Sequence, residues 1–173
     1  MERIDTKALI SHLRGQFQLN WRGHHGITHW ARVRANGLML ANETGANAHV
    51  VELFAWLHDA RRFNEHQDHH HGSRAAQLAS ELRGRHFEAT DDEMDLLTHA
   101  CRYHSDGLLV DDVTVMTCWD ADRLDLGRVH IVPDPMHLCT DAAKKEIHLQ
   151  KAHKRAVSWR RQVRPTQGVS NVR

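Results

Sequence analysis

Apolar residues recur at intervals of three and four along most of the chain, which predicts helices rather than strands. The clearest case is the segment from about 47 to 59, where Val50, Leu53, Phe54 and Leu57 share one helical face. No stretch alternates convincingly between apolar and polar residues, so we expect no sheet. The pattern therefore predicts an all-α bundle of about six to seven helices.

Capping residues locate the ends of these helices. Asp5 can cap a first helix that reaches about residue 19, and Thr90 with Glu93 forms a capping box for a helix that reaches about residue 104. The remaining helices are predicted at about 27–43, 47–59, 73–82, 112–126 and 140–162. We expect a single domain over residues 1–164, followed by a disordered tail over 165–173.

Length and composition indicate an ordinary soluble domain. The 173 residues suffice for one domain with a core, and 40% are hydrophobic and 26% charged. No apolar run approaches the ~20 residues of a membrane span, and the N-terminal segment is too polar for a signal peptide. Three cysteines without a C-x-x-C motif argue against disulfides and thiolate zinc sites. We expect an intracellular protein, cytoplasmic if bacterial, with no membrane partner.

Positive charge is concentrated at the C-terminal end of the chain. From Lys144 onward there are nine Lys and Arg residues against one Glu, although the net charge of the whole chain is only +1. Such a helix could attract phosphates or nucleic acid, but a solvated face is the simpler interpretation. Aromatic residues do not interleave the basic ones as a stacking surface requires, which argues against nucleic acid. The helix could pack on its own domain or on a second subunit, so a homo-oligomer stays open.

Four residues that could ligate a metal fall on or beside the apolar faces of three predicted helices. They are His29, the adjacent pair His58 and Asp59, and Asp122. Buried ionisable groups are costly unless they are paired or bound to a metal. Core histidines and an ion pair between Asp122 and an arginine are the alternatives. His58 and Asp59 could reach one ion only if their helix ends there, because neighbours point about 100° apart. Seventeen histidines further favour metal chemistry.

The order H…HD…D on successive helices resembles the HD-domain superfamily of metal-dependent phosphohydrolases. The resemblance covers residues 21–131 and is carried by the strings HGITHWARV, VVELFAWLHDARR, DHHHGSRAA, YHSDG and DADRLDLGRV. It implies a stand-alone HD domain in which His29, His58, Asp59 and Asp122 are the metal ligands, with Asp120 as the fallback for Asp122. His71 and His104 would either ligate a second metal or line the pocket, and His99 is a weaker candidate.

Other residues could act on a phosphorylated substrate. The resemblance assigns a phosphate contact to Arg123, whose alternative is an ion pair with Asp125 or Glu52. Asp59 could orient the attacking water as well as bind the metal. Further candidates are Arg61, Arg62 and Arg74 for phosphate and Glu65 and Asp68 for proton relay.

The ligand types narrow the chemistry. Imidazole and carboxylate ligands suit Mn, Fe, Ni, Co or Zn, with Mg also allowed, and we expect one ion, with two as the alternative. The resemblance implies a metal-bound hydroxide that attacks a phosphate ester or anhydride, in a nucleotide or related small molecule. Phosphate-loop and dinucleotide-binding motifs are absent. The alternatives are an HD-fold di-iron oxygenase that uses six ligands and a non-catalytic nucleotide-sensing or binding module.

Overall fold

The computed structural model describes residues 3–163, with side chains described through Trp159. Within that range it is all α-helical, as predicted, and contains no strand, only isolated bridges at Phe87. The helices are α1 (Thr6–Gln16), α2 (Ile27–Thr44), α3 (Ala48–Leu57), α4 (His71–Leu82), α5 (Asp91–Tyr103), α6 (Val113–Arg123), α7 (Asp141–Lys144) and α8 (Glu146–Val163). Short 3-10 turns cover Leu126–Val129 and Pro135–His137. None of the described helices combines the length and the apolar character needed to cross a membrane.

The predicted caps are confirmed. The Asp5 carboxylate accepts a hydrogen bond from the amide of Ala8, and Thr90 and Glu93 form both bonds of the capping box. Asn47 and Asp112, at the starts of α3 and α6, cap in the same way. The predicted ends are less accurate, since α1 stops at Gln16 rather than near residue 19 and α6 stops at Arg123 rather than near residue 126.

The single last helix predicted over 140–162 is instead two helices. The backbone of Lys145 is extended, which separates the short α7 from α8. After this break Lys145 and His148 both contact the carboxylate of Glu43, near the C-terminal end of α2, at 2.5 and 2.6 Å. Two side chains of the C-terminal segment, one on each side of the start of α8, thus share the carboxylate of Glu43. The predicted tail over 165–173 lies outside the described residues.

Helix α3 is the centre of the core. Leu53, Phe54 and Leu57 have no solvent exposure, and α2, α4, α5 and α6 pack around this helix. A smaller apolar cluster joins α8 to α2 through Leu40, Leu124 and Ala152. Burial of these apolar side chains supplies most of the stability, at roughly 25 cal/mol per Å² of apolar surface. Because α3 ends inside the core, the residues that follow Leu57 leave the helix within the bundle.

Gly72 allows α4 to approach the end of α5 closely. A Cβ at this position would lie 2.5 Å from the carbonyl oxygen of Cys101 and 2.7 Å from that of Arg102. We expect Gly72→Ala to lower the free energy of unfolding by about 1–3 kcal/mol, because the clash is with backbone. Gly15→Ala in α1 is the control, since nothing lies within 4 Å of its Cβ, and it should be neutral or mildly stabilising. Denaturant unfolding measures both; a Gly72→Ala protein as stable as wild type would contradict the close contact.

Candidate metal centre

The ends of five helices converge on one buried cluster of histidines and aspartates. Each contributes side chains from its first or last turn or from the residues just beyond it, where a side chain can point past the helix. The cluster contains His29 from α2, His58 and Asp59 after α3, His71 from α4, His104 after α5 and Asp122 from α6. These are the six residues that the sequence suggested as ligands; their role in binding metal stays a prediction.

His29, His58, Asp59 and Asp122 form the first half of the cluster. The Nε2 atoms of His29 and His58 are 3.1 Å apart. Oδ1 of Asp122 lies 3.3 Å from His29 Nε2 and 3.8 Å from His58 Nε2. Oδ2 of Asp59 lies 3.6 and 3.7 Å from the same two nitrogens. Two imidazole nitrogens and two carboxylate oxygens therefore surround one small volume.

His71, His104 and Asp59 form the second half. The Nε2 atoms of His71 and His104 are 2.8 Å apart. Oδ1 of Asp59 lies 3.3 Å from His71 Nε2 and 3.6 Å from His104 Nε2. Asp59 thus faces the first half with Oδ2 and the second half with Oδ1. One carboxylate is shared by two groups of donor atoms, each of which could hold an ion.

Hydrogen bonds on the outer side of each ring fix the orientation of the four histidines. Every Nδ1 contacts an oxygen acceptor, so Nδ1 carries the proton and Nε2 presents its lone pair to the cluster. The four acceptors are the Asp125 carboxylate for His29, and the backbone carbonyls of Phe54 for His58, Asp68 for His71 and Cys101 for His104.

This arrangement fits a bound cation. When Nδ1 of both rings donates outward, the two Nε2 atoms of each close pair present lone pairs to one another, which is repulsive without a proton or metal between them. The donors are buried imidazole nitrogens with the carboxylate oxygens of the buried Asp59 and the partly buried Asp122, the set that first-row transition metals prefer. The residues present therefore fit the metal that the HD-type pattern implies.

The titration properties of the two halves differ. Burial lowers the pKa of His58 to about 3, so this ring is neutral at physiological pH. Burial opposes charge on Asp59 and Asp122 as well, but the surrounding histidines outweigh it and hold both pKa values well below the usual range. His104 behaves oppositely: burial lowers its pKa, but the negative charge of Asp59, whose Oδ1 lies 3.6 Å from Nε2, prevails and raises it.

Asp120, the fallback for Asp122, has a different environment. Its carboxylate accepts hydrogen bonds from the amides of Cys139 and Thr140, at 2.7 and 2.8 Å, and from the Thr140 hydroxyl. It therefore anchors the segment before α7. Only Asp122, of the two acids, has its carboxylate beside the histidines of the cluster.

The other predicted site residues lie at different distances from the cluster. Arg62 Nη1 is 3.2 Å from His71 Nε2 and 3.5 Å from Asp59 Oδ1. Asp68 holds Arg74, and its pKa is lowered to about 2 as the hydrogen bond from Arg74 overcomes the effect of burial. Arg123 donates to the backbone carbonyls of Leu108 and His137 and so joins two loops.

The other candidate residues form ion pairs or hydrogen bonds outside the cluster. The ion pairs that the sequence offered as alternatives for Arg123 are instead made by Arg32 with Asp125 and by Arg34 with Glu52. His99 contacts Asp111 at 2.8 Å. Arg61 forms a weak pair with Glu81, and Glu65 contacts His25. Their proposed roles stay predictions.

Two residues at the centre were not assigned a role from the sequence. Asp125 accepts from His29 Nδ1 at 2.7 Å and from two nitrogens of Arg32, which completes a buried chain from Arg32 to the cluster. Arg128 is buried; its Nε donates to the carbonyl of His24, and its charge helps lower the pKa of Asp122. Both residues closely follow Asp122 in the sequence. Because the helix was predicted to continue to about residue 126, the turn after Arg123 that directs them inward was not predicted.

Comparison with known proteins gives a fold. No protein-family model matches the sequence, and no curated protein is significantly similar to it. The structure is similar to the 1.45 Å crystal structure of a predicted HD superfamily hydrolase from an uncultured Thermotogales bacterium, with a TM-score of 0.67 and 20% sequence identity. The match covers 94% of this chain and 93% of that chain. The chain therefore has the HD-domain fold, as its sequence predicted.

Proposed function

We propose that this protein is a metal-dependent phosphohydrolase that acts on a phosphate ester or anhydride of a small molecule such as a nucleotide. The observation that carries the proposal is the shared carboxylate: Asp59 directs one oxygen to each of two groups of donors. Two-metal sites of this kind are common among phosphatases and nucleases. The fold, shared with a predicted HD superfamily hydrolase, supports the same reaction class.

The arrangement favours two ions over the single ion expected from the sequence. His29, His58, Asp59 and Asp122 would hold the first, and Asp59, His71 and His104 the second. Bound ions of Mn, Fe, Ni, Co or Zn would supply Lewis acidity toward a phosphoryl oxygen and an activated water for attack on phosphorus. The identity of the metal is not fixed by these ligands, because all these ions accept imidazole and carboxylate.

Positive side chains beside the cluster would bind the phosphate. Arg62 lies next to the second half, and it is already held by the backbone carbonyl of His66, at 2.6 Å from Nη2. Arg128 is buried, and its Nη1 has no hydrogen-bond partner among the described residues. An arginine donates in a planar fork that matches two phosphoryl oxygens. Asp59 would hold metal and orient the attacking water. Arg123 and Asp68 would hold in place the loops that they contact.

Phosphate release from a panel of nucleotides and phosphomonoesters tests the proposal. Wild-type protein is assayed with Mn, Co, Ni, Mg and Fe(II), beside Asp122→Ala and the exposed Asp92→Ala as a matched control. We expect release that requires metal, persists in Asp92→Ala and disappears in Asp122→Ala, because Asp122 is the acid of α6 whose carboxylate lies beside the histidines of the cluster. Wild-type rates in Asp122→Ala, or no release by metal-loaded protein on any substrate, would contradict the proposal.

The ligand set also supports a di-iron oxygenase as a second candidate. Four histidines and two aspartates could equally provide six ligands for two irons. Uptake of O₂ by Fe(II)-loaded protein in the presence of an organic substrate, without phosphate release, would favour this function. Tight nucleotide binding without turnover under any metal would instead favour a sensing module.

A further inference from the structure

A groove of about 580 Å³ lies between the beginning of α2 and the second half of α8. None of the six candidate metal ligands lines it. It is connected to the metal centre through Asp125, which accepts a hydrogen bond from Arg32 and whose charge also acts on Arg155, and both arginines line the groove. The groove therefore has its own lining but lies behind the histidine side of the metal centre.

The lining carries positive charge without acidic residues. Arg32, Lys151, Lys154 and Arg155 all line the groove, and no Asp or Glu does. Arg32 forms an ion pair with Asp125. Among residues 3–159 the lysines that form ion pairs are Lys144 and Lys145, so Lys151 and Lys154 form none. Lys151, Lys154 and Arg155 thus face one cavity without forming an ion pair among the described residues, although the charge of Asp125 acts on Arg155.

Buried polar atoms of the same lining lack hydrogen bonds. Among the described residues, the hydroxyl of Thr28, Nε of Arg155 and Nε1 of Trp159 have no partner and no exposure to solvent. Native proteins rarely leave such groups unpaired, and an absent ion or ligand is one of the usual reasons. Arg155 is anchored by Nη2 to Asn36 at 2.5 Å, and burial lowers its pKa. Arg155 is thus held in place with the charge of Asp125 acting on it, but without a hydrogen-bonded anion among the described residues.

The position of Thr28 supports an anionic ligand. Thr28 lies in the first turn of α2, an 18-residue helix whose N-cap, Gly26, makes no side-chain hydrogen bond. The N-terminal end of a long helix carries partial positive charge and favours anions. The N-terminal end of α2 and the cationic side chains of α8 therefore face the groove from opposite sides, and both carry positive charge.

We propose that this groove is a second ligand site that binds a small phosphate-bearing anion, independently of the metal centre. Arg155, Lys151 and Lys154 would contact the phosphoryl oxygens, and the N-terminal end of α2 would add its partial positive charge. The groove is large enough for a phosphate with an attached organic group, since ligand pockets commonly span ~300–1,000 Å³. Free phosphate and the phosphates of a nucleotide share this chemistry.

Calorimetric titration of the full metal-loaded protein with inorganic phosphate and with ADP tests the site. We expect Lys151→Ala/Lys154→Ala to weaken binding in the groove at least about tenfold, since charge-assisted hydrogen bonds are lost. Lys7→Ala/Lys144→Ala removes the same charge elsewhere on the surface and should bind as wild type does. Tighter binding of ADP than of phosphate would identify a nucleotide, and equal binding would identify the phosphate group alone.

Asp122→Ala separates the groove from the metal centre. Binding that persists in Asp122→Ala but is lost in the double-lysine variant would support the groove, whether or not the protein releases phosphate from any substrate. Binding that is lost in Asp122→Ala and unchanged in the double-lysine variant would overturn the proposal, because the anion would then lie at the metal centre. Absence of binding to wild type would overturn it as well.

Discussion

Replacing Asp59 with alanine should abolish turnover, with a loss of kcat/KM of at least about 10³-fold. The expected loss is this large because Asp59 is the only described residue whose two carboxylate oxygens face both groups of donors. Removal of that side chain takes one candidate ligand from each group at once. It also leaves Arg62 Nη1 without the acid 3.5 Å away.

The matched control for this prediction is Asp106→Ala. Asp106 is exposed in the segment that follows His104, so the substitution removes an aspartate near the cluster without changing it. Steady-state kinetics with the best substrate and metal of the panel, together with the circular dichroism of each variant, separates loss of function from loss of fold. An Asp59→Ala protein that is folded and retains more than a tenth of wild-type kcat/KM would refute the shared-ligand account.

Acidification should remove one ion before the other. Burial lowers the pKa of His58 to about 3, so protons do not compete for this ring near neutral pH. Burial also opposes charge on His104, but Asp59 outweighs it and raises the pKa above the ordinary 6.5. A metal in the second half must therefore displace a proton from His104, and its affinity falls as the pH drops below that raised pKa. We expect acidification below that raised pKa to reduce the metal content from two ions per chain to one.

Metal content after equilibrium dialysis at a series of pH values measures this effect. His104→Gln should hold one ion at every pH, because the second half loses a ligand while the first is complete. His69→Gln serves as the control, since His69 is exposed just before His71 and contributes nothing to the cluster. Simultaneous loss of both ions from wild type, or two ions retained well below the raised pKa of His104, would contradict the difference between the halves.

Much of the fold follows from local signals. The period of the apolar residues predicted the helices, and Asp5, Thr90 and Glu93 marked their starts because capping depends on neighbouring residues alone. The break at Lys145 could not be predicted in this way. It is accompanied by contacts with Glu43, which is distant in the sequence and meets Lys145 and His148 only where α8 packs on α2.

The candidate ligands could be chosen from the sequence, but their arrangement could not. Polar residues on apolar faces identified His29 and Asp122, and the end of α3 explained the adjacent pair. The two-sided position of Asp59 depends on how closely α4 and α5 approach, and Gly72 permits this approach because a Cβ there would meet the carbonyl oxygen of Cys101. The role of Asp125 behind His29 also needed the structure, because the turn after α6 has no helical period to reveal it.

Electron paramagnetic resonance of the protein fully loaded with Mn(II) tests the central claim most directly. Two ions that share the Asp59 carboxylate are magnetically coupled, so we predict the spectrum of an exchange-coupled pair, which is replaced in His104→Gln by that of a single ion. A spectrum of uncoupled Mn(II) alone, in wild-type protein saturated with metal at pH 8, would contradict a two-metal centre bridged by Asp59.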